Sequence, residues 1–266
     1  MRAPIGPGGG GAGPRRRSWV GILPPAFVVF CILIGLGVWQ LQRKAWKEGL
    51  IASLTERLAK PPQALPTPKS WPGLDAAEDE YRRVEFDAAF EPGREALVYA
   101  SATAFRPDVD GPGYWVFAPA RLADGGVVMV NRGFVPEGRQ DPRLRLAGDV
   151  SGPLHIVGAM RWPDPRHWFT PADDPSHNLW FSRDPAAMAA AKGFGPVAPF
   201  YVEQEAPAPP GGLPQPGKLV VSLPDNHLQY ALTWFGLAAV LAAVTISFAL
   251  SSTRRRGAQP GTAPGV

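Results

Sequence analysis

A membrane-anchored α+β protein is the fold class this sequence predicts: two transmembrane α-helices flanking a β-rich extracytoplasmic domain, built as an antiparallel sheet or barrel. Two uncharged stretches and one recurring pattern predict it. No Asp, Glu, Lys or Arg occurs between Arg17 and Arg43, nor between Asp225 and Arg254. Each gap exceeds the roughly 20 residues that cross a hydrocarbon core of about 30 Å. Between the gaps, short apolar and β-branched runs alternate with turn residues, the mark of many short strands.

Residues 1–17, rich in Gly, Pro and Arg, are expected to form a disordered cytoplasmic tail. The first transmembrane helix covers 18–42. Its Pro24-Pro25 pair suits a first turn, where a missing N–H removes no intrahelical bond. A cleaved signal peptide is the competing reading, but the run is long for an h-region and 35–42 offers no convincing small-residue cleavage site. Trp46, Leu50, Leu54 and Leu58 then recur every four residues. They predict that the helix continues as an amphipathic extension over 46–60, lying on the domain or the membrane surface and ended by Pro61 and Pro62.

The extracytoplasmic domain spans 43–225. Strands are expected at 83–90, 96–105, 113–122, 127–135, 154–161 and 200–204. Asp124-Gly125-Gly126 reads as the hairpin turn joining two of them, because Gly tolerates positive φ. One short helix, 185–192, is announced by the Asp184 cap and by Pro185 at its first position. The Pro- and Gly-rich segment 206–217 reads as a solvated linker. The second transmembrane helix covers 226–250 with Asn226 as its N-cap, and 251–266 form a second cytoplasmic tail. Orientation follows from Arg254, Arg255 and Arg256, directly behind the second helix, against the more distant Lys218 before it. Both termini are thereby placed in the cytoplasm.

Several function classes are excluded. The formal charge of +4 is concentrated beside the apolar runs, where it orients helices, so nucleic-acid binding is not expected. The single Cys31 rules out a disulfide framework and a CxxC site. His155, His167, His177 and His227 show neither HxH nor HExxH spacing, and GxSxG, GxGxxG and GxxxxGK[ST] are absent. No enzymatic activity is expected.

Two regions hold candidate binding residues. In 106–136, RPDVDGPGYWVFAPARLADGGVVMVNRGFVP, the glycines suit turns, Tyr114, Trp115 and Phe117 suit strand faces, and Asn131-Arg132-Gly133 suits a bend at a strand's end. The alternative is that Arg106 and Arg132 present fixed cations to an anionic partner, since guanidinium favours bidentate carboxylate contacts. The second region is the outer membrane border. Trp39, Gln40, Arg43, Trp46 and Lys47 share one broad face of the first helix, and His227, Tyr230, Ala231 and Trp234 share one face of the second. One reading is an aromatic belt with snorkelling cations in membrane lipid. The other is a haem site in which a neutral His227 ligates iron, Trp39, Tyr230 and Trp234 cover the ring, and Arg43 pairs with the propionates.

The order of GVWQLQRKAWK, DGPGYWVFAPARLADGGVVMVNRGFVP, NLWFSRD, FYVEQE and NHLQYALTWFGLA between two anchors resembles the surfeit locus protein 1 family, over roughly residues 35 to 240. That resemblance implies an inner-membrane assembly factor for haem-copper cytochrome c oxidase. It implies binding of haem a, transient and non-covalent, with His227 at the place of the family's haem ligand. The partners it implies are the catalytic subunit of the oxidase and haem a synthase. The location it implies, joined to the charge pattern, is a bacterial-type inner membrane with the central domain in the periplasm. A cofactor-free scaffold that stabilises oxidase assembly intermediates is the alternative.

Overall fold

The computed structural model of the protein describes residues 19–100, 106, 108–150, 152–221 and 225–257. In chain order the elements are α1 (Leu23–Ala59), β1 (Gln63–Ala64), α2 (Ala76–Asp79), β2 (Arg83–Phe90), β3 (Ala96–Ala100), β4 (Gly113–Leu122), β5 (Val127–Pro136), β6 (Pro153–Arg161), β7 (Leu179–Trp180), α3 (Pro185–Lys192), β8 (Tyr201–Ala206) and α4 (His227–Gly257). They belong to two compact units: α1 as far as Glu48 together with α4, and Gly49–Leu223.

The first unit is an antiparallel helix pair. Both helices are long and apolar enough to cross a membrane, with mean hydropathies of 1.9 and 2.0. Pro24 and Pro25 lie in the first turn of α1, as the sequence predicts. Buried and half-buried positions recur at Ala26, Phe30, Leu33, Gly37, Gln40 and Lys44 on α1, and at His227, Ala231, Trp234, Ala238, Leu241 and Thr245 on α4. Steps of four and three alternate on both helices. That 3.5-residue period is the seam of a left-handed helix pair. Lipid tails are as apolar as the helices, so close packing of small residues supplies the association. Gly37 shows it: a Cβ there would lie 2.4 Å from the Phe235 ring.

The second unit is a closed barrel. β2 pairs with β6, β6 with β8, β8 with β5, β5 with β4, and β4 returns to β2 through Ala120 opposite Phe90 and Leu122 opposite Ala88. Closure leaves the five-stranded ring without exposed edges. β4 serves two neighbours. Gly113 to Phe117 pair with β3, and past a register shift between Trp115 and Phe117 the strand turns to β2. The sheet is mixed rather than wholly antiparallel, since β1–β2, β3–β7 and β5–β8 run parallel.

Period-two alternation sorts side chains to the two faces of the ring. Val84, Phe86, Ala88 and Phe90 of β2 meet Val128, Val130, Ile156, Met160 and Val202 in one core, capped by Trp71 edge-on against Phe200. Each fully buried aliphatic side chain there contributes about 1.5–3 kcal/mol. Phe117, Met129 and Tyr201 point the other way into a second core beneath Met188 and Ala189 of α3. That helix starts as expected, the Asp184 carboxylate accepting the Ala187 N–H at 3.0 Å.

The hairpin of β4 and β5 turns where predicted, with Gly125 at φ +88° and Asp124 Oδ1 accepting the Gly126 N–H at 3.0 Å. Two local expectations need correction, and part of a third lies outside the described residues. β3 is described to Ala100, and the rest of the strand expected at 96–105 lies outside the described residues. The helical extension expected over 46–60 continues α1 to Ala59; Leu54 and Leu58 pack against Tyr81, Ala159 and Leu219, whereas Trp46 and Leu50 are exposed. Asn131-Arg132-Gly133 lies within β5, not at its end. Finally, 206–217 is no free linker. Phe134 N–H donates to Gln215 O at 3.0 Å, Gln215 N–H donates back to Phe134 O at 2.8 Å, and Gly217 N–H donates to Gln204 O. The segment is a strap across β5.

Candidate functional site

His227 opens α4, and the side chains about it explain its placement. Asn226 occupies the N-cap position and its carbonyl accepts the Tyr230 N–H at 3.1 Å. The side-chain cap is supplied by Asp225 instead, whose Oδ1 accepts the His227 N–H at 2.9 Å. The ring crosses the seam to α1, where His227 Nδ1 lies 2.7 Å from Gln40 Oε1. A carbonyl oxygen only accepts, so in this pairing the Nδ1 N–H is the donor.

Of the three aromatic residues expected to cover a ring, Trp234 shares the seam face with His227 and the other two do not. Trp39 and Tyr230 are exposed on the outside of the helix pair, because each lies about 100° round its helix from a seam residue. Trp234 is on the seam, and its indole Nε1 is buried without a hydrogen-bond partner. An orphaned N–H of this kind costs about 1–3 kcal/mol. Arg43 stacks its guanidinium 4.1 Å above the Trp46 ring and makes no ion pair among the described residues. Lys44 is bound to Glu48 one turn on.

These features fit a haem better than a bare metal ion. No group of three or more His, Cys, Asp or Glu side chains is placed to hold a metal among the described residues. A lone imidazole suits a metal that would arrive with its other ligands already in place. Its second nitrogen is already fixed by an acceptor, the usual support for a ligating histidine.

Arg106 and Arg132 are buried rather than presented outward, being 2% and 6% exposed. Arg106 holds Asp108 through both Nε and Nη2 at 2.7 Å, and its Nη2 donates to Pro216 O at 3.1 Å. It pins the strap from below. Arg132 donates to Gly148 O at 2.6 Å and lies 4.6 Å over the Phe90 ring. Burial lowers its pKa, against the opposing pull of Glu95. The Arg106 hydrogen bonds hold the Asp108 carboxyl below its ordinary range. A depressed folded pKa contributes stability above the unfolded value near 3.9, lost as pH falls through the folded one. Thermal melts of the purified protein should fall between pH 5 and pH 3, and Asp108→Asn should flatten that fall. An unchanged slope would refute the role given to this pair.

Three of the sequence segments converge on one buried network that their separate positions do not reveal. Asn131 Nδ2 donates to Glu203 Oε2 at 2.6 Å, Arg183 lies 3.6 Å from Glu203 Oε1, and the Arg183 guanidinium lies 5.5 Å from the centre of the Trp115 ring. Arg161 bonds Glu80 at 3.0 Å and lies over Tyr81. Burial raises the pKa of the neighbouring Tyr201, which stays neutral.

A closed β barrel carried in sequence between the two helices of a membrane-spanning pair, with one imidazole hydrogen-bonded at the head of that pair's seam, defines a membrane-anchored β-barrel protein. Comparison with known sequences supplies the family. A sequence model of the SURF1 family matches residues 27–239, which include both helices' seam residues at Gln40 and His227. The chain is 36% identical over 233 residues to a SURF1-like protein of Monosiga brevicollis, covering 85% of this chain and 87% of that one. It is 34% identical over 233 residues to surfeit locus protein 1 of Homo sapiens, covering 84% and 74%. To surfeit locus protein 1 of Rattus norvegicus it is 34% identical over 215 residues, covering 77% and 68%. The chain belongs to the SURF1 family.

Proposed function

We propose that the protein is an assembly factor for haem-copper cytochrome c oxidase that binds haem a at the head of the helix pair and assists its insertion into the catalytic subunit. The observation that carries this reading is the 2.7 Å contact of His227 Nδ1 with Gln40 Oε1, which holds the imidazole at the head of the seam as a partner holds a ligating histidine. When bound, the haem would supply an iron able to accept an imidazole nitrogen. The chain's own residues hold it. His227 offers the axial nitrogen, Gln40 keeps the ring in the ligating tautomer, and the Arg43 guanidinium, stacked on Trp46, is a partner for propionates. The unpartnered Trp234 N–H is a donor for a polar substituent at the edge of the ring. A single protein ligand suits cargo that must leave, since release rate is where affinity is mostly set.

In this reading the protein is non-catalytic, its barrel meets the oxidase subunit or haem a synthase, and Arg254 to Arg256 keep both termini on the cytoplasmic side. The purified protein from a haem a producing host should carry haem a absorption bands; a colourless preparation would sink the haem reading. Gln40→Leu should weaken haem a binding about 10–100-fold, the usual effect of losing a partner that orients a metal ligand. Titration of the apoprotein measures it, and equal affinity would remove Gln40 from the site. The outward Trp39 and Tyr230 favour a second reading, an aromatic belt on a cofactor-free scaffold. That scaffold would be colourless and would still co-purify with oxidase subunits after His227 is replaced.

A further inference from the structure

The seam of the helix pair is closed at Gly37, against the Phe235 ring, and at the buried Ala231 and Ala238. Toward the chain termini the same two helices leave an apolar groove of 310 Å³ between them. Leu23, Ala26 and Phe30 of α1 and Leu241, Ala242 and Thr245 of α4 are among the residues that line it. Thr245 carries the one polar side chain in that lining among the described residues, and its Oγ1 donates to the Leu241 carbonyl at 2.7 Å. No side-chain donor is left over, so the groove accepts an apolar occupant. Left empty within a membrane, it would forfeit dispersion contacts along both walls.

Charge selects that occupant. Arg15, Arg16 and Arg17 precede α1 in sequence, and Arg254, Arg255 and Arg256 fall in the last turns of α4. Residues 1–47 and 226–266 contain no Asp or Glu, so the sequence supplies no acid to neutralise this end of the pair. The two acids of the helix-pair unit, Glu48 and Asp225, belong to its opposite end. We propose that the groove holds one acyl chain of an anionic phospholipid whose headgroup is bound by these flanking arginines. Guanidinium bonds phosphate oxygens in pairs, and basic clusters beside gaps between membrane helices recognise anionic headgroups. Depth agrees with this. Arg254 follows Ile246 by eight residues, about 12 Å along the helix, and one leaflet of the hydrocarbon core is about 15 Å deep. A lipid held at Arg254 therefore runs its chain past Leu241 to Ile246. A second copy packed in parallel would instead add six more arginines to the same end.

This inference stands apart from the haem reading, which concerns the other end of the pair. Full-length protein in neutral detergent micelles is given phosphatidylglycerol carrying a photoreactive diazirine on its acyl chain, and the adducts are mapped by peptide mass spectrometry. Adducts on the groove residues of both helices support the site, provided unlabelled phosphatidylglycerol displaces them at a concentration at least about tenfold lower than phosphatidylcholine does. Ala242→Phe, which fills the groove, should lose these adducts, and Val240→Phe, at an exposed position of the same helix, should keep them. Arg254→Gln/Arg255→Gln/Arg256→Gln should bind the two lipids alike. Helicity and melting temperature report whether each variant folds; where Ala242→Phe does not, the wild-type map and the arginine variant decide. Adducts spread evenly around both helices, equal displacement by the two lipids, or an unchanged map in folded Ala242→Phe overturns the proposal. Native mass spectra showing a dimer free of lipid also overturn it.

Discussion

His227→Ala should leave the purified protein without haem a, a fall in affinity on the order of 100-fold or more, since removing a ligand exceeds the 10–100-fold loss typical of its supporting partner. The helix pair itself should survive. The change deletes one hydrogen bond across the seam, to Gln40. Such bonds within membranes contribute about 0.6 kcal/mol on average. The close fit of Gly37 against Phe235 and the buried Ala231 and Ala238 are untouched. Helicity and melting should therefore match wild type, and added imidazole should restore part of the spectrum by filling the vacated space. Undiminished haem in His227→Ala would sink the ligand assignment. Loss of haem together with loss of helicity would mean that the side chain acts on the helix pair and not on iron.

Gly133→Ala should be the most damaging single methyl in the barrel, costing about 3–5 kcal/mol. Gly133 has φ +124°, a backbone region that costs an L-residue about 1–3 kcal/mol. Its new Cβ would stand 2.1 Å from the Gln215 carbonyl oxygen, and a backbone atom of the strap cannot step aside as a side chain could. The strap would lift, breaking the paired Phe134–Gln215 hydrogen bonds at about 1 kcal/mol each and loosening Arg106 from Pro216. Against a domain stability of 5–15 kcal/mol such a loss is large. Circular dichroism melts of the full chain should show a drop of several degrees or failure to fold. A melting temperature within a degree of wild type would contradict the close approach.

The extent of foresight follows from the range of each interaction. β2 and β4 and the helix α3 fall where alternation, turn residues and the Asp184 cap predict them, since those signals act over a few neighbours. β1 and β7 were missed because two residues are too few to show a period. The hydrophobic gaps announce both membrane helices, yet the seam is a finer pattern. Gly37, Gln40 and Lys44 against His227, Ala231 and Trp234 repeat in steps of three and four, and that repeat could have separated Gln40 from its exposed neighbour Trp39.

By itself the sequence determined two membrane helices, a strand-rich middle, the hairpin at Gly125 and the family, all from patterns within short windows or from the order of motifs. Only the tertiary structure decided that five strands close into a ring, that 206–217 folds back as a strap, and that Arg106 and Arg132 are buried braces. It also joined His227 to Gln40, 187 residues apart. The reason is physical. Local propensity and hydropathy act through neighbours in the chain, whereas a buried guanidinium or an oriented imidazole is defined by partners that only folding brings within 3 Å.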